Sequence, residues 1–422
     1  MAKYLLNTAT VEGHLNPVLP ISRQLVNRGH EVIWISGRGF SGRIEKTGAR
    51  FHPWPEEMDT TVRDKFEILP RLAELSGFAA VKYLLHHSVE IVPLEINTID
   101  SVLEFFSADV LVSDPYILGP YVKSKLSGIP SALVSFTPLA LSSRDTAPYG
   151  LGILPGTSFL TRTRNHLLNL IAETIMFKDL DRHANKILKE LGHSPLQDSF
   201  LRVAFDLPDL VIHTSTKAFE YPRSDIPGHI HFVGPILLPA VKDFDAPEWW
   251  PSLKDPKPVI LVNQGTMSVD PDDLIIPTVQ GLKDEQVITI AVPVKDADMM
   301  NIPENTQTST FIPFGNLLQH IDVMVTNGGF GGVQNALVKG VPLIVAGNTE
   351  DKMEVAARVE WTGAGINLRK KRPSPEQIHD AVKEVLGNPF YRENARRIQK
   401  DFAGYDAPVG AVELLEGLVS TE

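Results

Sequence analysis

The chain has 422 residues, 43% apolar and 22% charged, a globular balance that suits two or three domains with sizeable cores. With 40 Lys and Arg against 51 Asp and Glu, the formal charge of −11 argues against nucleic-acid or anionic-lipid partners. There is no cysteine, which excludes disulfides, thiol catalysis, iron–sulfur clusters and cysteine-ligated zinc.

The first residues hold too short an apolar run for a secretion signal, and no stretch approaches the ~18 to 20 apolar residues of a membrane span. A cytoplasmic protein with no transmembrane segment, monomeric or weakly dimeric, is expected. Tyr4–Asn7 reads as a strand, followed by a loop that holds Gly13 and His14. Val18, Leu19, Ile21, Leu25 and Val26 then have helical spacing, predicting a helix from Pro17 to Arg28, and Glu31–Ser36 is the next strand. Strand, helix and strand at this length imply a parallel sheet with right-handed crossovers. Ala108–Ser113, Ser131–Ser135, Asp209–His213 and His231–Val233 continue the strand series, and residues 160–192 are largely helical in pattern.

Five prolines between Pro235 and Pro256 mark a linker, and Trp249 and Trp250 within it suggest that it is packed. A second α/β run follows, with strands at Pro258–Asn263, Gln286–Val292, Asp322–Thr326 and Val341–Ala346. Ser374-Pro-Glu-Gln377 has the form of a capped helix start, and helical segments finish the chain. The expected architecture is α/β, with a first domain over 1–235, a linker over 236–251, a second domain over 252–395 and a terminal helical segment over 396–422. Ligands of such sheets bind at the carboxyl ends of strands, often between domains.

Three places could carry chemistry. Thr326-Asn-Gly-Gly-Phe-Gly-Gly-Val333 follows a strand and leads into a helical pattern. Gly328, Gly329, Gly331 and Gly332 would let backbone N–H groups approach a phosphate at a helix N-terminus. The same run also fits a tight strand-to-helix turn with no ligand. Gly265 and Thr266 end a strand of the same domain and suit a phosphate oxygen, or a simple helix cap. His14, beside Gly13 at a strand's end, could be a general base if an acid held its ring, and Asp114 ends another strand. A structural histidine at a helix start is the alternative. The D-x-D pairs at Asp179/Asp181, Asp243/Asp245 and Asp270/Asp272 are read as turns and helix starts, and His229 with His231 lacks a third ligand. No metal site is expected.

The ordered set Gly13-His-Leu-Asn-Pro17, Asn263-Gln-Gly-Thr266, Phe311-Ile-Pro-Phe314, Thr326-Asn-Gly-Gly-Phe-Gly-Gly332, Gly340-Val-Pro-Leu343 and Glu350-Asp-Lys352 resembles the UDP-sugar-dependent glycosyltransferases of family 1, which have the GT-B fold, and most of all their bacterial and fungal small-molecule branch. The resemblance covers nearly the whole chain. It implies two Rossmann-like domains facing across a cleft, with the last helical segment crossing back onto the first. It implies an inverting, metal-independent transfer of a hexose, glucose above all, to a hydroxyl of a small lipophilic acceptor, with a UDP-sugar as donor substrate and no permanently bound cofactor.

By the same resemblance His14 is the base and Asp114 orients it. The diphosphate lies on 328–332 with Thr266, Phe311 and Ile312 flank the uracil, and Asp351 with Lys352 holds sugar hydroxyls. The family's usual phosphate-contacting histidine is Asn327 here, its ribose-binding glutamate is Asn335, its uracil tryptophan is Phe311, and the glutamine after Asp351 is Lys352. Glu350, Asp351 and Glu354 lie close to Lys352 in sequence and could neutralise it, which suits an uncharged sugar, whereas a lysine pointing at the sugar would favour a uronic acid. An epimerase of the same fold, or a non-catalytic nucleotide-sugar binder, is the alternative reading.

Overall fold

The computed structural model describes residues 1–75, 77–203, 205–265, 270–293, 302–347 and 351–419. The first half of the chain folds around a seven-stranded parallel sheet. Its strands are β1 (Lys3–Asn7), β2 (Glu31–Ser36), β3 (Arg50–Pro53), β4 (Val110–Ser113), β5 (Ser131–Ser135), β6 (Leu210–His213) and β7 (Ile230–Phe232), in the spatial order β3-β2-β1-β4-β5-β6-β7. The second half forms a six-stranded parallel sheet from β8 (Val259–Asn263), β9 (Ile288–Val292), β10 (Thr306–Thr308), β11 (Val323–Thr326), β12 (Leu343–Val345) and β13 (Gly365–Asn367), in the order β10-β9-β8-β11-β12-β13.

Parallel pairing needs crossover connections over the sheet faces, so central strands are buried on both sides and consist of unbroken apolar runs such as Val110-Leu-Val. The strands missing from the sequence reading, β3, β10 and β13, all lie at sheet edges. An edge strand has less apolar surface to cover, and β10 is Thr-Gln-Thr. In each sheet the strand order reverses once, between β1 and β4 and between β8 and β11. Segments leaving such a pair of strands turn apart, which opens a crevice at their carboxyl ends.

Six helices matter for what sits there: α1 (Glu12–Asn27), α2 (Val92–Leu103), α3 (Phe330–Val338), α4 (Lys352–Thr362), α5 (Pro389–Phe402) and α6 (Ala407–Val419). Helix α1 starts ahead of Pro17, with the N–H groups of His14 and Leu15 bonded to the Val11 carbonyl at 3.0 and 3.2 Å. Gly13 and His14 therefore stand in a first helical turn and not in a loop. Pro17 and Pro20 are inside the helix, so Pro17 has no N–H for the Gly13 carbonyl. Helix α3 likewise begins at Phe330, three residues before Val333, and takes Gly331 and Gly332 into its first turn.

The capping box at Ser374 and Gln377 is formed. In the linker, Trp249 and Trp250 pack on the core of the second sheet, and Trp249 Nε1 donates to the Thr308 carbonyl at 3.3 Å. Helix α5 packs on α3, whereas α6 crosses to the first sheet and lies along α1. There Ala407, Ala411, Val412 and Leu415 join Leu15, Val18 and Ile21 in one buried cluster. Among the described residues no helix is long and apolar enough to cross a membrane.

Candidate active site

The segments leaving β1 and β4 bring His14 and Asp114 together. Asp114 is fully buried, and all its acceptor positions are used. Oδ1 accepts the backbone N–H of Tyr116 at 2.8 Å and of Ile117 at 3.1 Å, an Asx turn that fixes the carboxylate. Oδ2 accepts the N–H of Ala9 at 2.6 Å and lies 2.8 Å from His14 Nδ1. A carboxylate in this role only accepts, so Nδ1 carries the proton and Nε2 keeps its lone pair. The imidazole is wedged edge-on between the rings of Tyr116 and Phe136, with centroids at 4.8 and 5.0 Å. Its side chain retains 13% exposure, enough for Nε2 to meet a ligand from the crevice.

Behind this pair lies a second acid, Glu95 of α2. Its Oε2 accepts the Gly119 N–H at 2.5 Å, while Oε1 is buried without a partner among the described residues. Burial pushes its carboxyl up to about 8, and the neighbouring charge of Asp114 acts in the same direction. Glu95 is thus mostly neutral at pH 7, and the Asp114 charge stands unopposed next to His14.

Across the molecule, the reversal between β8 and β11 holds the glycine run. The first helical bond of α3 runs from Val333 N to the Gly329 carbonyl at 3.0 Å, so the N–H groups of Phe330, Gly331 and Gly332 have no intrahelical partner. Among the described residues a Cβ built on Gly329 or Gly331 would meet nothing within 4 Å, which leaves room above this helix end. Gly328 has φ of 91°, and a Cβ there would stand 2.8 Å from Val345 Cγ1, so only glycine fits. This end of α3 can receive an anion through backbone N–H groups and the helix dipole.

Other residues expected at a nucleotide are placed differently. Asn327 is buried and donates from Nδ2 to the Gln264 carbonyl, which ties the β8 and β11 ends together; its Oδ1 has no partner among the described residues. Asn335 is committed to the linker: Oδ1 accepts the Leu238 N–H at 3.0 Å, and Nδ2 donates to the Gly331 carbonyl at 2.8 Å. An amide saturated in this way is not free for a ribose. Ile312 is 3% exposed inside the second core, so its side chain cannot flank a base, whereas Phe311 is 75% exposed. Asp351 is the N-cap residue of α4, and Lys352 begins that helix with its backbone against Gly328. Glu354 points away from Lys352, to Arg358 at 3.0 Å and to the first domain. Gly265 lies two residues past β8, beside Asn327; Thr266 and Glu350 lie outside the described residues.

In two of the D-x-D pairs a member carboxylate, Asp270 or Asp179, is held by a basic side chain. Arg372 binds Asp270 at 2.5 Å and Asp273 at 2.6 Å, and Lys82 binds Asp179 at 2.8 Å. Among the described residues no group of three His, Asp or Glu side chains converges as a metal site.

The two domains meet through a buried ionic network that the sequence did not disclose. Arg358 of α4 is fully buried and donates to Glu220 at 2.5 and 2.9 Å, with its guanidinium 4.0 Å from the centre of the Tyr221 ring. Burial would raise the Glu220 carboxyl, but the Arg358 and Arg223 charges overcome it and hold it well below the usual range. His213, at the end of β6, lies 3.5 Å from Glu220 and packs at 6.1 Å from Phe330, the first residue of α3. Burial lowers this imidazole and keeps it neutral.

Comparisons with known proteins agree with this geometry. Residues 274–418 match the family model described as "Erythromycin biosynthesis protein CIII-like, C-terminal domain". The chain is 40% identical over 419 residues to 4'-demethylrebeccamycin synthase of Lentzea aerocolonigenes, covering 99% of this chain and 100% of that protein. It is 34% identical to UDP-glycosyltransferase 2 of Phaeomoniella chlamydospora, over 96% of this chain and 92% of that one. Its fold matches the crystal structure of CalG4, the calicheamicin glycosyltransferase, with a TM-score of 0.77 at 19% identity, covering 100% of this chain and 99% of the other. With two parallel-sheet domains and a relative this similar over its entire length, the chain belongs to the family 1 GT-B glycosyltransferases, enzymes that draw on nucleotide sugars.

Proposed function

We propose that the protein transfers a neutral hexose, glucose in the first instance, from a UDP-sugar to a hydroxyl of a small lipophilic acceptor, with inversion and without a metal ion. The observation that carries the reading is the His14–Asp114 pair at the strand-order reversal of the first sheet. The acceptor's proton passes to His14 Nε2 as its oxygen bonds to the anomeric carbon. The bond from that carbon to the diphosphate oxygen breaks, and its electron pair leaves with the nucleotide. Asp114 is buried and saturated by four hydrogen bonds, so it is not a nucleophile that could form a glycosyl–enzyme ester. That supports the reading of a single displacement with inversion.

The departing diphosphate is met by the unpaired N–H groups at the start of α3, which substitute for a divalent cation. Phe311 stacks on the base, and Asp351 accepts two sugar hydroxyls, with Lys352 beside it. The name of the Phaeomoniella relative supports UDP as the nucleotide. The acidic, cysteine-free composition fits a cytoplasmic location. A matrix of nucleotide sugars against phenolic, polyketide, sterol and lipid alcohols, read by mass spectrometry, tests the reading. A glucosylated product is expected with the wild type and loss of it with His14→Ala at unchanged UDP affinity. Equal turnover in His14→Ala on an unactivated alcohol would remove this histidine from the reaction.

A further inference from the structure

One loop of the first domain is built onto the helix that carries Asp351. Glu354 of α4 is 4% exposed, and its Oε1 accepts two backbone N–H groups from the other domain, those of Gly150 and Gly152, each at 2.9 Å. Its Oε2 is held by Arg358 at 3.0 Å, and Arg358 in turn is anchored to Glu220. Gly150 and Gly152 both have left-handed backbones, with φ of 92° and 58°. A Cβ on Gly152 would stand 3.1 Å from the Met353 carbonyl, so the loop lies directly on the first turn of α4. A buried carboxylate gripping two amides across a domain boundary fixes the loop far more firmly than an exposed contact could.

The residue so placed is Tyr149. Its phenol is kept protonated by burial first and then by the charge of Asp351 and the presence of Tyr116. Tyr116 is the residue whose ring touches His14 edge-on. Tyr149 thus belongs to a loop docked on the first turn of the helix that starts at Asp351, within electrostatic reach of both that carboxylate and Tyr116. Tyr149 keeps 37% of its surface exposed although the protein surrounds its phenol, so part of the side chain borders open space.

We propose that Tyr149 is a donor-sugar contact supplied by the first domain, and that Glu354 is the positioning residue that holds it over Asp351. The proposal rests on the reading of Asp351 as the sugar-holding carboxylate. The hexose then lies between a carboxylate from one domain and a phenol from the other, and the phenol O–H donates to a sugar oxygen. UDP alone reaches neither group, so the two residues discriminate between nucleotide sugar and bare nucleotide.

The quantity that reports this is the ratio of the Kd for UDP-glucose to the Kd for UDP, measured by calorimetry on the full chain, which needs no turnover and no identified acceptor. Tyr149→Phe removes one hydrogen bond and is expected to raise the ratio about 3- to 10-fold at constant UDP affinity. Glu354→Ala is expected to raise it similarly by releasing the loop. Glu354→Gln keeps an amide oxygen for both N–H groups but sets its NH₂ against the Arg358 guanidinium, so it should raise the ratio less than Glu354→Ala; general loss of structure would not give that order. Asp351→Ala is the reference. If it raises the ratio while Tyr149→Phe leaves it at the wild-type value, the proposal is overturned and the donor-site reading stands. If Asp351→Ala leaves the ratio unchanged, the reading of that carboxylate falls, and this proposal with it.

Discussion

Replacing Asp114 by asparagine separates the roles of charge and geometry in the first-domain site. Each oxygen of Asp114 faces two N–H donors: Tyr116 and Ile117 on one side, Ala9 and His14 on the other. An asparagine must aim its NH₂ at one of those pairs. Placing it toward Tyr116 and Ile117 sets it against two backbone donors that cannot adapt, so it turns toward Ala9 and His14. The Ala9 N–H then loses its acceptor in a buried site, a cost of about 1–3 kcal/mol in stability. The imidazole can adapt, by moving its proton from Nδ1 to Nε2 and accepting from the amide. That tautomer has no lone pair at Nε2 for the acceptor's proton. The expected result is a fall in kcat of roughly 10²- to 10⁴-fold, the span of a positioned general base, with little change in UDP affinity. The loss should shrink for a nitrophenol, which is already acidic enough to attack as the phenolate. Steady-state kinetics on a phenol and a nitrophenol, with a thermal melt alongside, decide the matter. Equal losses on both acceptors, or full activity with a lowered melting temperature, would refute the tautomer argument.

Gly331→Val should fold normally, because among the described residues a Cβ there meets nothing within 4 Å, yet it fills the space an anion would take, so UDP affinity measured by calorimetry should fall sharply. Gly328→Ala should instead lower the melting temperature, since both its φ of 91° and the contact with Val345 oppose a side chain. Transfer in excess EDTA should equal transfer in Mg²⁺, and restoration of lost activity by Mg²⁺ would return the aspartate pairs to consideration. Glu95→Gln should stabilise the protein increasingly as pH rises. The wild-type carboxyl, with a folded value of about 8 against 4.5 unfolded, favours the fold fully below pH 4.5 and loses that contribution as pH rises through 8. The difference between the two melting curves should be small at pH 5 and reach several kcal/mol at pH 8, and a gap that does not widen contradicts the burial of that acid.

How much of this was legible in the sequence depended on the kind of residue. Buried parallel strands announce themselves as apolar runs, and a site at their carboxyl ends can be read by position, which is why His14 and Asp114 could be paired across a hundred residues. Helix starts are less legible because glycine and proline, which usually punctuate helices, here stand inside them. Gly13, Gly331 and Gly332 all stand in first turns, where N–H groups have no helical partner to lose. Pattern matching located Ile312 and Asn335 but not the direction of their side chains, and both turn into the protein. The interface was illegible for a different reason. Glu220 and Arg358 are separated by 138 positions with no shared periodicity, and either one alone reads as a surface charge.

That interface also bears on how such an enzyme can work. An apolar contact between domains is favoured by its area and opposes every opening. A buried ion network behaves differently, because removing its charges from water costs about as much as their attraction returns. Glu220, Arg358 and Glu354 therefore add little net adhesion when docked and are well solvated when apart. Their contribution is directional: Glu220 must meet the guanidinium, and the Gly150 and Gly152 amides must meet Glu354, or each is left buried and unpaired at a cost of several kcal/mol. Adhesion comes instead from the apolar contact beside the network, where the Phe219 ring of the first half packs against Phe330 and Phe402 of the second, while the ions set the register in which the two halves meet.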